Sequence, residues 1–322
     1  MPVRKISICT GLDISALILG ADSTGFSFDK ENTFSMIDRY LDSGGNMIDT
    51  AHLYGISPDG ETQMSEKMIG RYLRERKNRD RLLIATKGGH PPVGKMSISR
   101  LSREEIFSDM EESLSYLGID YVDLYWLHRD DECLPVGPIM EAMHELVKNG
   151  KTRFFGVSNW RAARIEEANA YAAAHGLSPI AASQIQYSFA HPNYANLDPT
   201  IVPMDEVEYE YYRTTRLPVF AFASQAKGYF SKMSAGGEEA LSEKCVVRYH
   251  NDISVGRWQR ACRIGESVGA DAGQVALAAL MQRGDFSTIP LLGCRTLDQL
   301  ENSLAACNIT LTPEQLHVLY QD

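Results

Sequence analysis

One alternation, repeated eight times, constrains this chain more than any other feature. Short runs rich in Ile, Val, Leu and aromatic residues occupy 16–20, 46–51, 82–87, 122–128, 152–158, 181–187, 218–224 and 287–293. Longer amphipathic stretches lie between and after them, at 31–43, 65–76, 102–117, 136–149, 161–175, 203–215, 256–282 and 297–307. Nearly continuous apolar strands are what a parallel sheet needs when helices cover it. Eight strand–helix units, at roughly 40 residues each, predict a (β/α)8 barrel. No Pro/Ser/Gly-rich linker divides the chain, so one domain spanning 1–322 is expected. Ahead of the first run, KISICTGLDIS reads as a β-hairpin turning at Thr10-Gly11, able to plug the barrel bottom. Helix ends agree with this parsing. Ser102 and Glu105 form a capping-box pattern, Gly118, Gly150 and Gly176 follow helical stretches, Asp298 sits in a first turn and Pro313 opens a last helix. A doubly wound sheet shares the alternation. A nucleotide-binding sheet of that kind usually carries GxGxxG after its first strand, and this sequence contains neither a GxG nor the GxxxxGK[ST] phosphate loop.

Charge and cysteine usage narrow the partners. Lys and Arg number 32 against 42 Asp and Glu, a net charge of −10. Nucleic acid and anionic membrane are therefore not expected partners, although a local basic pocket for one phosphate is compatible. No run approaches the ~18 apolar residues of a membrane span, and 16–19 is too short for a signal core. Six cysteines, at 9, 133, 245, 262, 294 and 307, include no CxxC pair. Free thiols in a reducing cytoplasm are expected, and a cytoplasmic location with them. No metal is expected: His144 in HELVKNG lacks the second His of HExxH, and Asp205, Glu206, Glu208 and Glu210 read as a solvated helix face.

In a barrel the chemistry gathers at the C-terminal ends of the strands. The second run ends Asp49-Thr50-Ala51-His52-Leu53-Tyr54-Gly55, the third Thr86-Lys87-Gly88, the fourth His128-Arg129-Asp130 and the fifth Ser158-Asn159-Trp160. The sixth carries Gln184 and Gln186. An Asp or Lys at such a position is costly unless paired, so Asp49 and Lys87 are expected partners. An ammonium beside Tyr54 would lower its pKa, making the phenol a proton donor and acceptor nearer neutral pH. Tyr54 and a neutral His128 would then cradle a carbonyl oxygen as charge develops on it. No side chain supplies hydride, so a cofactor is implied.

These residues fall in a familiar order. DTAHLYG at 49–55, Ser65-Glu66 with Gly70, LLIATKGG at 82–89, DLYWLH at 123–128, GKTRFFGVSNW at 150–160, SQIQYS at 183–188 and IPLLGCRTLDQLENSLAA at 289–306 run across nearly the whole chain. Together they resemble the aldo-keto reductases, in their bacterial type. The resemblance implies an NADP(H)-dependent oxidoreductase that reduces an aldehyde or ketone, or oxidises an alcohol, by direct hydride transfer. It makes Asp49, Tyr54, Lys87 and His128 the catalytic tetrad. It places Ser158, Asn159 and Gln184 on the nicotinamide carboxamide and Phe222 where the family usually stacks a Tyr on the ring. Ala223, Ser224, Gln225, Lys227 and Gly228 would approach the pyrophosphate. Gly293, Cys294, Arg295, Gln299 and Asn302 would surround the adenosine end. Trp126, Trp160 and Tyr187 are candidates for the substrate wall, and His52 and His90 flank it. The chain departs from the common form in FASQAKG at 222–228 and in the extra length at 56–64. The alternative implied function is a catalytically weak, NADP-binding redox sensor. Substrate identity, direction of reaction and oligomeric state stay open.

Overall fold

The computed structural model describes residues 3–22, 24, 29–55 and 62–321, so most of the extra segment at 56–64 lies outside it. Strands β3 (Ile18–Gly20), β4 (Met47–Asp49), β5 (Leu83–Gly88), β6 (Val122–Leu127), β7 (Thr152–Ser158), β8 (Ser183–Gln186), β9 (Val219–Phe222) and β10 (Thr288–Leu292) pair in parallel, and β10 returns to β3 to close a barrel. The strands fall inside the eight apolar runs, except that β5 runs one residue past 87, and each is followed by helix. Ahead of them β1 (Lys5–Cys9) and β2 (Leu12–Ser15) form the antiparallel hairpin. Ile8, Leu12 and Ile14 of that hairpin pack against Ile18, Met47, Ala85 and Leu124 at the barrel floor. Arg153 Nη2 ties the hairpin turn down through the Gly11 carbonyl at 2.6 Å.

The helices are α1 (Lys30–Asp42), α2 (Met64–Arg76), α3 (Arg103–Leu117), α4 (Val136–Lys148), α5 (Ala162–His175), α6 (Glu206–Thr215), α7 (Tyr229–Gly236), α8 (Glu243–Tyr249), α9 (Asp252–Val268), α10 (Ala272–Gln282), α11 (Leu297–Ala305) and α12 (Pro313–Leu319). The capping box at Ser102 is present, and Pro313 stands in the first turn of α12. The single helix expected over 256–282 is two. Gly269 ends α9 at φ +70°, and Asp271 opens α10 with a capping box to Gln274. Helices α7 and α8, on the loop after β9, were not anticipated. Glu208 is also not on a solvated face: it is 1% exposed and accepts from the Ala162 amide, capping α5.

Strand alternation sorts the side chains into two cores. Ile18, Met47, Ala85, Leu124, Trp126, Ala182, Phe220 and Ile289 point into the barrel. Their neighbours Leu19, Ile48, Ile84, Tyr125, Phe155, Val157, Ile185 and Ala221 face the helices. Gly156 belongs to the inward set, and a methyl there would press into the Trp126 ring and lie 2.6 Å from the Ala182 carbonyl oxygen. Backbone oxygen cannot yield as a flexible side chain can. Gly156→Ala should therefore destabilise the barrel by about 1–3 kcal/mol, the cost of overpacking. Thermal unfolding would register this as a lowered Tm.

Candidate active site

Two residues beyond the inward apolar layer, the same alternation brings five polar side chains and Phe222 to the barrel mouth. Asp49 follows Met47, Lys87 follows Ala85, His128 follows Trp126, Ser158 follows Gly156, Gln184 follows Ala182 and Phe222 follows Phe220. A single geometric rule thus converts six sequence-distant strand ends into one site.

Lys87 is at its centre, with an ammonium that is 0% exposed. It donates to Asp49 Oδ2 and to the Thr50 carbonyl at 2.8 Å. Gln184 Nε2 donates to the other Asp49 oxygen at 3.0 Å. Burial opposes the Lys87 charge, but Asp49 and Tyr54 around it hold its pKa above the ordinary value. Burial pushes the Asp49 carboxyl upward while Lys87 and Gln184 pull it down. With a donor on each oxygen, the group is held as a carboxylate. Lys87 Nζ lies 4.7 Å from the centre of the Tyr54 ring. His128 meets that ring edge-on, with centroids 5.6 Å apart.

The Tyr54 pKa is not lowered toward neutrality. Desolvation raises it above the ordinary phenol value, with Asp49 and Asp22 adding to the rise and Lys87 opposing. Tyr54 thus stands as a protonated phenol, with Lys87 beside it to receive the charge if the proton leaves. Burial and the nearby Lys87, His90 and Arg129 hold the His128 pKa well below its usual value. A neutral imidazole results, and its Nδ1 is buried with no hydrogen-bond partner. A proton donor, an adjoining ammonium and a neutral imidazole at one point are a set that polarises and protonates a carbonyl oxygen.

The model of the Aldo/keto reductase family matches residues 16–320. The chain belongs to the aldo/keto reductase family. Over 98% of its length it is 27% identical to a norsolorinic acid reductase of Emericella nidulans, covering 79% of that protein. Over the same share it is 27% identical to an aryl-alcohol dehydrogenase [NADP(+)] of Phanerodontia chrysosporium, covering 84%. It is 29% identical to norsolorinic acid reductase B of Aspergillus parasiticus, covering 82% of that protein and 98% of this chain.

Around the tetrad, this aldo/keto reductase collects most of the other predicted side chains. Asn159, at φ +59°, donates to Ser158 Oγ at 3.0 Å and accepts from the Val202 amide at 3.1 Å. After β9, Ala223, Ala226, Lys227 and Gly228 all have positive φ, between +47° and +78°. Such turns point backbone amides into a concavity suited to anions. Lys227 is exposed there; partial burial and then Arg248, Lys244 and Lys232 lower its pKa. Ser224 Oγ donates to the Leu291 carbonyl at 2.6 Å. Gln225 bridges Ser303 Oγ at 2.9 Å and the Gly293 amide at 3.0 Å, joining this loop to the one after β10. There Cys294 is buried, its thiol pushed up to about 11, while Arg295 is exposed and its amide donates to Gln299 Oε1 at 2.8 Å. Thr296 caps α11. Asn302 is turned onto Asp271 at the start of α10. An exposed basic group on each of two linked loops, one of them shaped for anions, fits a dinucleotide phosphate.

The three aromatic candidates for a substrate wall are all buried. Trp126 is wholly buried and stacked edge-on against Phe220, inside the barrel below the site. Trp160 is wholly buried, its indole N–H 3.3 Å from the Arg129 carbonyl. Tyr187 falls on the helix-facing side of β8's continuation, where its hydroxyl accepts from Arg283 at 2.9 Å. At the mouth stand the two histidines expected to flank the active-site loops. His90 stands edge-on to His128, with ring centroids 4.7 Å apart. Its loop is pinned by Asp109, which accepts from the Gly89 amide at 2.8 Å and from Arg100 at 2.5 Å. His52 is fastened to Glu112 on α3 at 2.9 Å. A groove of about 690 Å³ beside the hairpin, lined by Leu12, Asp13, Arg81 and Arg153, opens at the opposite end from these groups.

Proposed function

We propose that this chain is an NADP(H)-dependent reductase of an aldehyde or ketone, or dehydrogenase of the corresponding alcohol, with Tyr54 as the acid and base. The observation carrying this reading is the buried Lys87 ammonium, paired with Asp49 and seated against Tyr54. Ser158, Asn159 and Gln184 would hold the nicotinamide end, with Phe222 against the ring. Residues 223–228 would take the pyrophosphate, and Arg295 with Gln299 the adenosine end. Bound nicotinamide supplies two electrons and hydrogen as hydride, or accepts them in oxidation. As the carbonyl carbon gains a C–H bond, the C=O π pair moves onto oxygen. Tyr54 Oη gives that oxygen its proton, Lys87 stabilises the phenolate left behind, and Asp49 keeps Lys87 in place. His128, neutral, donates a hydrogen bond to the same oxygen. Solvent then reprotonates Tyr54.

A panel of aryl and alkyl aldehydes and ketones, followed by NADPH consumption, tests the reading. The relatives' names direct it first to aryl carbonyls. Turnover of at least one compound is expected, undiminished by a metal chelator. Tight NADPH binding with no turnover across the panel would instead favour a redox sensor.

Cofactor choice gives a second test. The 2′-phosphate of NADP carries close to two negative charges, which an acidic protein must meet locally. Arg295 is an exposed guanidinium beside the N-terminus of α11, suited to a bidentate phosphate contact. Arg295→Ala should weaken NADPH binding by roughly 1.5–3 kcal/mol, the value of hydrogen bonds to a charged group. NADH binding should scarcely change. Titration of both cofactors decides it, and equal losses for both would rule Arg295 out as the phosphate reader.

A further inference from the structure

Arg129 follows His128 at the end of β6, and the mechanism above leaves it without a task. Its guanidinium is largely withdrawn from water. Nη1 donates to the His128 carbonyl at 2.9 Å, whereas Nε is shut off from solvent with no partner. Among the described residues it forms no ion pair within 4.0 Å. The nearest carboxylate in sequence, Asp130, is taken by Arg164 at 3.2 Å. Asp198 attracts it only from beyond ion-pair distance, and Asp198 Oδ1 accepts from the Thr200 amide and hydroxyl at 2.9 and 2.7 Å. The anchor of Arg129, His128, meets the Tyr54 ring edge-on with centroids 5.6 Å apart, which sets Arg129 beside the reacting groups; desolvation lowers the Arg129 pKa, with Tyr54 and Asp198 opposing.

A desolvated guanidinium with one hydrogen bond and no carboxylate within ion-pair distance is unfavourable by itself. Native structures complete such groups, and a ligand can do so. The edge of the fork left over, Nε and Nη2, is the edge that grips a carboxylate with two parallel hydrogen bonds. Lys87 cannot serve, because Asp49 occupies it.

We infer that Arg129 is a specificity-determining residue that anchors a carboxylate on the substrate, directing the enzyme toward carbonyl compounds that bear an acid group. The inference rests on the reading of Tyr54, Lys87 and His128 as the carbonyl-reducing centre. It adds what the carbonyl is attached to.

The test compares 4-carboxybenzaldehyde with its neutral methyl ester, methyl 4-formylbenzoate, in wild type, Arg129→Met and Arg129→Lys. The wild type should favour the acid in kcat/KM. Arg129→Met should reduce the acid-to-ester ratio by about 10- to 100-fold, the range for hydrogen bonds to a charged partner. The change should lie mainly in KM, and Arg129→Lys should restore part of the ratio. Loss of both substrates by one common factor would overturn the inference, since it would mark Arg129 as structural. Benzoate binding, measured by calorimetry with NADP(+) present, is independent of turnover. Benzoate should bind the wild type and bind Arg129→Met at least tenfold more weakly; equal affinities overturn the proposal. An equal loss of NADPH affinity in Arg129→Met overturns it too, by making the cofactor the anion served. If neither aldehyde turns over in wild type yet benzoate discriminates the two proteins, the carbonyl-reducing reading fails and the anion site stands.

Discussion

Tyr54→Phe should lower turnover by about 10²–10⁴, the usual contribution of a positioned general acid. The substitution removes one oxygen and keeps the ring. The contacts of that ring with the Lys87 ammonium at 4.7 Å and with His128 at 5.6 Å are available to phenylalanine as well. NADPH should therefore bind with near-normal affinity, and thermal stability should hold. Single-turnover measurements with saturating NADPH separate the chemical step from binding. A turnover number within a few-fold of wild type would remove Tyr54 from the role of proton donor.

Lys87→Met should be the more damaging change because it strikes chemistry and stability together. Lys87 and Asp49 form a pair that water does not reach, with side chains 0% and 2% exposed. Removing the cation leaves a buried carboxylate held by Gln184 alone, which typically costs about 3–5 kcal/mol. Urea unfolding should show that loss. The kinetic signature has a definite sign. Tyr54 already titrates above an ordinary phenol because of desolvation, and Lys87 is the main influence pulling the other way. Without it the pKa rises further. The rising limb of the alcohol-oxidation pH–rate profile, which follows deprotonation of Tyr54, should move to higher pH. Asp49→Asn together with Lys87→Met relieves the stranded charge, so recovery of stability without recovery of rate would separate the two roles. An unmoved pH profile in Lys87→Met would reduce Lys87 to a structural residue.

The strands and their order were legible because each is a short apolar run between amphipathic stretches, and burial on both faces requires that composition. The site was legible because its residues interrupt those runs at their ends, where an Asp49 or a Lys87 is unaffordable without a partner. Elsewhere, local signals were weaker than tertiary context. The periodicity at 256–282 reads through Gly269 as one helix, although the capping pair Asp271 and Gln274 marks the break. Helices α7 and α8 are eight and seven residues long, too short for periodicity to declare. Glu208 looks solvated in a run of acidic residues, and only the approach of α5 turns it into a buried cap. Alternation does place Trp126 on the face of His128, but two residues deeper, and depth is set by how the barrel fills. The direction of the Tyr54 pKa depends on how much water the surrounding loops exclude, a quantity that no spacing encodes. Arg129 was visible beside His128, but that no carboxylate of the described residues comes within ion-pair distance of it is a fact of three dimensions.

The seam of the barrel has a consequence for biosynthesis. Leu291 and Leu292 of β10 lie beside Ile18 and Leu19 of β3, joining the first strand of the barrel to the last. During synthesis, β3 leaves the ribosome with one edge unpaired and keeps it so until β10, some 270 residues later, has followed. An open strand edge is a template for pairing with other chains, and contacts so distant in sequence form late. Premature termination before residue 288 would therefore yield an open sheet with two adhesive edges rather than a smaller enzyme. Quality control should meet such fragments as aggregates or protease substrates, and β10 acts as the clasp that releases the chain from that hazard.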